Sequence, residues 1–349
     1  MADFEVIFMD AGQGDCTLIA YPDNSLTLVD CGSTKGSSGA DGAFTGIRSV
    51  LERYFNRNNG VLDNLVLTHP DEDHYNQLYK LKFSDLKWMH AYYGGALELY
   101  KNARENEATY GLLAAMSDGG SAWVPPVTGE PDPMLSRAGV NVTVLAANCT
   151  GNPASTSGKI KNSNSIVLMV EYKGAKIFLM GDAFVRTEAW IIDTFRKAGK
   201  LNRLRKGPNE HVVLKMGHHG SDTSTSSDWV NLITPQVLVV SSGTKSFKGK
   251  GMPTVVHLDR TVQLCTTLEA NTGIGQSYVV FDESKRGQAG QDFLTRPKTK
   301  RGIWTTCFQV DWDARNAAWF ESGQTWYYGV GLDGKKKPDR WYGYTGYET

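Results

Sequence analysis

The sequence predicts an α/β protein, and three observations carry that expectation. Short apolar, β-branched runs alternate with helical patterns over the first two thirds of the chain. The runs stop at polar residues, which is where α/β folds gather their ligands. The length, 349 residues, suits one large catalytic domain with an insertion or tail.

Taken in order, FEVIFMD at 4–10, CTLIAY at 16–21 and SLTLVD at 25–30 read as strands joined by Gly-rich and Asp/Asn-rich turns. A helix is expected across 45–57. NLVLT at 64–68 is a further apolar strand, so His69 opens the loop at its carboxyl end. Residues 94–117 look helical, and 118–163, rich in Gly, Pro, Ser and Asn, read as the rest of a long insertion (about 94–163) ending in a mobile loop. SIVLMVEY at 165–172 and AKIFLMGD at 175–182 are strands split by a tight hairpin at Lys173-Gly174. An amphipathic helix is expected over 184–198, then strands HVVLKM at 211–216 and QVLVVSS at 236–242. Past residue 283 the composition changes: RPKTKR fills 296–301, and five of the nine tryptophans fall within 304–341. The expected organisation is a catalytic domain over 1–283 and a C-terminal extension over 284–349.

Lys+Arg and Asp+Glu are both 37, so the formal charge is zero and no global electrostatic footprint for nucleic acid or an anionic membrane exists. An anionic substrate must be held by local patches. The five cysteines are widely spaced with no CxxC pair, which points to reduced thiols. Asp3, Glu5, Asp10 and Asp15 do not fit a signal peptide, and no apolar stretch reaches the length of a membrane span. A soluble cytoplasmic protein without membrane contact is the expectation.

The chemistry concentrates at LVLTHPDEDHYNQL, residues 65–78, where His69, Asp71, Asp73 and His74 crowd into six positions. Packing gives no reason for that crowding; metal ligation does. Three other strands also deliver polar groups at their ends: Asp30 after SLTLV, Asp182 after IFLMG, and His218-His219 after VVLKMG.

These residues resemble the metallo-β-lactamase superfamily. More narrowly, MDAGQGDCTLI at 9–19, NSNSIVLMVEYKGAKIFLMGDA at 162–183 and VLKMGHHGSDTSTS at 213–226 are similar to the metallohydrolase domain of ComEC-type DNA-uptake proteins, without the membrane channel. The resemblance implies an αββα sandwich with a binuclear site at one edge of two sheets. It assigns one divalent ion to His69, Asp71 and a third-ligand position at Ser163 or Asn164. A second goes to Asp73, His74 and one of His218 or His219, with Asp182 bridging and Asp30 structural.

Asp71 and Asn164 stand where many relatives carry histidine. Oxygen donors harden the site, shifting preference from zinc towards manganese or magnesium and loosening the first ion. Two adjacent ions suit in-line hydrolysis of phosphodiesters. Asp73, His219 and Lys215 are the catalytic candidates, His219 as leaving-group acid if it is not a ligand. Lys215, Ser221 and Thr223 flank the HHGS turn where a phosphate would bind, Lys215 being either such a contact or merely a strand-end lysine; Gln13 and Asp15 either line the cleft or form a Gly-rich turn. Tyr75, Asn76 and Gln77 are expected to make the cleft narrower or differently shaped. The basic run RKAGKLNRLRK at 196–206 is either a solvated helix end or a phosphate track, and the aromatic tail either a β core or a stacking platform. The leading expectation is a phosphodiesterase or nuclease acting on DNA or RNA. The alternatives are hydrolysis of a small phosphoester, such as a cyclic nucleotide or phosphorylcholine group, and a weakly active subunit of an effector complex with a protein partner on the C-terminal extension.

Overall fold

Among the strand residues whose burial is described, most are buried, so the sheets must be covered on both faces. The computed structural model describes residues 4–280, apart from short stretches of which 34–39, 82–86, 150–160, 242–251 and 269–277 are the longest, and three strands within 305–331. The strands are β1 (Phe4–Met9), β2 (Cys16–Ala20), β3 (Leu26–Cys31), β4 (Val61–Leu67), β5 (Lys87–Tyr93), β6 (Ala122–Trp123), β7 (Asn141–Ala146), β8 (Val167–Tyr172), β9 (Ala175–Leu179), β10 (His211–Lys215), β11 (Val237–Val239), β12 (Tyr278–Val280), β13 (Thr305–Val310), β14 (Asn316–Glu321) and β15 (Tyr327–Gly331). The helices that matter are α1 (Ala40–Arg57), α2 (Arg104–Asp118), α3 (Val185–Lys197), α4 (Leu201–Leu204) and α5 (Ser227–Ile233).

Two sheets form, ordered β15-β14-β13-β1-β2-β3-β4-β5-β6 and β12-β11-β10-β9-β8-β7. The period-two alternation of strand side chains builds the layers. Phe4, Val6 and Phe8 of β1 meet Ala175, Ile177 and Leu179 of β9 between the sheets. The intervening Ile7 and Met9 face the opposite way, onto α1 through Ile47, Leu51 and Phe55. On the second sheet, Phe178 turns outward against α3 and α5, its ring 5.5 Å from that of Trp229. Three apolar cores therefore separate four layers, which is the αββα sandwich. Each fully buried side chain of this size contributes roughly 1.5–3 kcal/mol.

Three elements differ from the sequence reading. Residues 118–163 carry β6 and β7, the latter an edge strand of the second sheet, so that segment is not irregular throughout. The expected helix over 94–117 is a short 3-10 turn, Leu97–Tyr100, followed by α2. β13 pairs antiparallel with all six residues of β1, so residues 305–310 of the C-terminal region extend the first sheet. The hairpin at Lys173-Gly174 has φ of 45° and 85°, the left-handed pair that a two-residue turn requires. No disulfide joins Cys16, Cys31, Cys149 or Cys265. Among the described residues no helix is long and apolar enough to cross a membrane.

Candidate metal centre

Parallel pairing brings the polar residues to one edge. β3 runs parallel to β4, with Val29 opposite Val66, and β9 parallel to β10, with Leu179 opposite Lys215. The polar residues at the strand ends therefore emerge on the same side: Asp30 from β3, Thr68 to His74 from β4, Asp182 from β9, and His218-His219 from β10. The turn after β1 adds Asp15. Asp30, His218 and His219 sit at positive φ, 59°, 47° and 52°. Such a conformation costs about 1–3 kcal/mol in a non-glycine residue and persists only where surrounding bonds impose it. Here His218 N–H donates to Gly181 O at 3.0 Å and Ser224 Oγ to Gly217 O at 2.6 Å. The buried carboxylate of Glu188 on α3 receives the N–H groups of Thr225 at 2.5 Å and Ser226 at 2.8 Å, tying the far end of the turn.

Each histidine is held from behind through Nδ1. His74 Nδ1 lies 2.7 Å from Asp30 Oδ2, and His219 Nδ1 lies 2.8 Å from the carbonyl of Ser241. Both partners only accept, so Nδ1 carries the hydrogen and Nε2 faces inward. His69 Nδ1 contacts Thr68 Oγ1 at 3.0 Å, and that hydroxyl donates to Asp30 Oδ2 at 2.7 Å. His218 Nδ1 lies 2.6 Å from Thr223 Oγ1.

The four Nε2 atoms converge on Asp182. Its Oδ1 is 3.2 Å from His74 Nε2 and 3.7 Å from His219 Nε2; its Oδ2 is 3.6 Å from His69 Nε2 and 3.8 Å from His218 Nε2. Asp73 Oδ2 lies 3.3 Å from His219 Nε2. Among the described residues, His69 Nε2, His74 Nε2, His219 Nε2 and Asp182 Oδ1 are buried without a hydrogen-bond partner. Each orphaned group costs about 1–3 kcal/mol, and a divalent ion would satisfy them together. The donor atoms of His69, His74 and Asp182 lie within 4.8 Å of one another, as do those of Asp73, His74 and His219. Nitrogen and carboxylate donors at this spacing fit a divalent metal.

The electrostatics agree. Burial pushes the Asp182 carboxyl upward, yet His219, His74 and His218 outweigh it and hold it well below the carboxylate range. Burial also penalises the His219 imidazolium, but Asp182 and Asp73 raise it to about 9. His74 is likewise raised, against burial, by Asp182 and Asp30. An ion entering the metal-free site therefore displaces protons. His218 goes the other way: burial dominates and lowers it.

The remaining expected residues divide. Asp71, whose Oδ2 is 3.7 Å from His69 Nε2, is pushed up by burial but drawn down to about 2 by His69 and Lys161. Asn164 is buried, but its amide lies towards Gly95 and Pro70, where an added Cβ on Gly95 would come within 3.0 Å of it. The amide that reaches the site is that of Asn162, donating to Asp182 Oδ2 at 3.2 Å; Ser165 Oγ receives the Asp182 N–H at 3.1 Å. Lys215, read as a phosphate contact or a strand-end lysine, and Asp15, read as cleft lining or part of a turn, are buried and ion-paired with each other behind His74 and His219. Ser221 is buried and bonded to Thr223, which is exposed at the mouth. Gln13 lies outside the described residues. Tyr75, Asn76 and Gln77 are buried rather than lining a cleft: the Tyr75 ring packs 5.0 Å from Tyr100, and Asn76 pairs with the backbone of Ser33. In the basic run, Lys200 and Arg203 pair with Glu130, Arg203 also with Glu171, and Lys197 with Asp193. RPKTKR at 296–301 lies outside the described residues.

Sequence reasoning missed Lys161, Asn162, Glu188 and Ser241. The NSNS run at 162–165 carried the signal for Asn162, but linear spacing could not choose among its members.

Known proteins share the sequence pattern. "Recombination protein 2" of Haemophilus influenzae is 28% identical over 242 residues, covering 69% of this chain and 24% of that protein. "ComE operon protein 3" of Bacillus subtilis is 28% identical over 249 residues, covering 68% of this chain and 28% of that protein. The chain thus spans about a quarter of the length of these curated relatives, which are competence proteins of the ComEC type. Among solved structures, the metallo-β-lactamase fold protein YhfI of Bacillus subtilis covers 81% of this chain and 98% of its own at 12% identity and a TM-score of 0.42. The family model described as "Metallo-beta-lactamase superfamily" matches residues 9–243. With that match covering β2 to β11 and every histidine of the centre, the chain belongs to the metallo-β-lactamase superfamily of metal-dependent hydrolases.

Proposed function

We propose that this protein hydrolyses phosphodiester bonds, with nucleic acid as the substrate. The observation that carries the reading is the convergence of four Nε2 atoms and the Asp73 and Asp182 carboxylates at the open edge of the sheets. His74, His219, Asp73 and Asp182 would hold a divalent ion, with His69 in reach. An ion bound there supplies Lewis-acid activation of water and of the phosphoryl group. Asp73, whose side chain keeps 22% of its surface exposed, is placed to accept the proton of the attacking water. Thr223, exposed beside His218, presents a hydroxyl at the mouth, and the Phe184 ring, 5.3 Å from that of His218, forms an apolar wall there. Three imidazoles and two carboxylates can hold either zinc or manganese. The names of the relatives, a recombination protein and a ComE operon protein, support a nucleic-acid substrate.

The test is cleavage of labelled single-stranded and double-stranded DNA in manganese, magnesium and zinc, beside an Asp73→Ala, His74→Ala double variant. Metal-dependent cutting lost in the variant is expected; bound metal without any cutting would sink the nucleic-acid reading.

One observation favours a second reading, a small phosphodiester. Three of the six cations of the 196–206 run that would track a polymer, Lys197, Lys200 and Arg203, are paired with Asp193, Glu130 and Glu171. Salt separates the two: polymer cleavage should fall steeply with added salt and small-substrate turnover far less.

A further inference from the structure

The two sides of Asp182 are built differently. Towards His74 and His219, the atoms Asp182 Oδ1, His74 Nε2 and His219 Nε2 have no hydrogen-bond partner among the described residues, and Asp73 Oδ2 stands beside them. Towards Asp71, N–H groups already contact both carboxylates, although Asp71 Oδ2 still faces His69 Nε2 at 3.7 Å. Lys161 Nζ lies 3.1 Å from Asp71 Oδ1, in a pair whose side chains are only 21% and 29% exposed. Asn162 Nδ2 donates to Asp182 Oδ2 at 3.2 Å. Both residues come from the single helical turn that precedes β8, the part of the chain where the superfamily pattern would place a third histidine. An ion on Asp71 Oδ2 would stand beside the Lys161 ammonium on the same carboxylate, and the two cations repel each other at this range.

We propose that Lys161 is a built-in cation in the place of the first metal. The chain then holds one divalent ion, on Asp73, His74, His219 and Asp182. His69 Nε2 shares a set with His74 and Asp182 whose donor atoms lie within 4.8 Å of one another, which brings it within reach of that ion. The Lys161 ammonium takes over the other task of a second ion, neutralising a non-bridging oxygen of a bound phosphate. That last role rests on the phosphodiesterase reading; the stoichiometry does not.

The competing arrangement keeps two ions and makes His218 the third ligand of the first, since its Nε2 is 3.8 Å from Asp182 Oδ2. Elemental analysis and paramagnetic resonance of manganese-loaded protein separate the two, using the wild type, Lys161→Arg, Lys161→His and His218→Ala. One manganese per chain, with the spectrum of an isolated ion, is expected in the wild type, Lys161→Arg and His218→Ala. Lys161→His, which replaces the ammonium with an imidazole, is expected to take up a second ion coupled to the first. A wild type holding two coupled ions, one of them lost in His218→Ala, overturns the proposal, and so does a Lys161→His variant that stays at one. If the expected stoichiometries appear while no phosphodiester is cleaved, the functional reading falls and the single-ion site stands.

Discussion

Asp30 touches no reacting atom, yet it fixes two imidazoles: His74 directly at 2.7 Å and His69 through the Thr68 hydroxyl. Outer partners of this kind typically control metal affinity by about 10- to 100-fold. Asp30→Asn keeps a residue type that tolerates φ of 59° but removes the charge. Manganese titration by calorimetry should show a weakening in that range; unchanged affinity would mean that the histidines need no orienting partner. A second residue-scale prediction concerns His211, outside the metal centre. Burial, with Lys206 nearby, lowers its imidazole to about 4 from an ordinary value near 6.5. The unfolded chain therefore takes up a proton below about pH 6.5 that the folded chain refuses until pH 4. Stability should fall through that window as pH drops, by up to about 3 kcal/mol from this group. Urea unfolding between pH 7 and 4 checks it, and His211→Gln should show a shallower decline.

At the scale of elements, the turn from Gly217 to Ser226 is the part most dependent on one outside group. Glu188 of α3 receives two of its N–H groups. Glu188→Ala leaves both buried and unpaired, at roughly 1–3 kcal/mol each, and releases the strained His218-His219 pair. A lowered melting temperature together with weaker manganese binding is expected, and Glu188→Gln should be milder. A variant that melts lower but binds metal normally would limit Glu188 to fold stability. The strands that ended on a polar cluster were legible because apolar runs and their breaks are local signals. β7, NVTVLA, was not, because Pro and Gly on either side masked a short edge strand whose status comes from pairing with β8. β5, KWMHAYY, carries Lys and His and becomes a strand through its parallel neighbours β4 and β6.

For the whole molecule, the C-terminal strands bear on how the tail can be studied. β13 completes the ladder of β1, whose residues Phe4 to Met9 are all buried. Removing residues 284–349 would expose the backbone edge of β1 as a template for pairing. The truncated chain is expected to melt lower and to aggregate in light-scattering measurements, so loss of activity in it would not identify a substrate-binding tail. A truncated chain that remains monomeric with an unchanged melting temperature would show that the ladder adds nothing.

The sequence by itself determined the fold class and the family, and it named the HxDxDH, Gly-Asp and His-His clusters. Each is a contiguous motif at the end of an apolar run, readable without knowing what lies opposite. Only the tertiary structure decided which neighbour meets which. It turned His219 to Asp73 and His218 to the mouth, although the two are adjacent in the chain. It set the Asn162 amide on Asp182, two residues before the Asn164 that the sequence reading singled out. It buried Lys215 against Asp15, far away in sequence. These choices depend on the register between strands of two sheets and on left-handed turns held by distant side chains, which no spacing within one segment encodes.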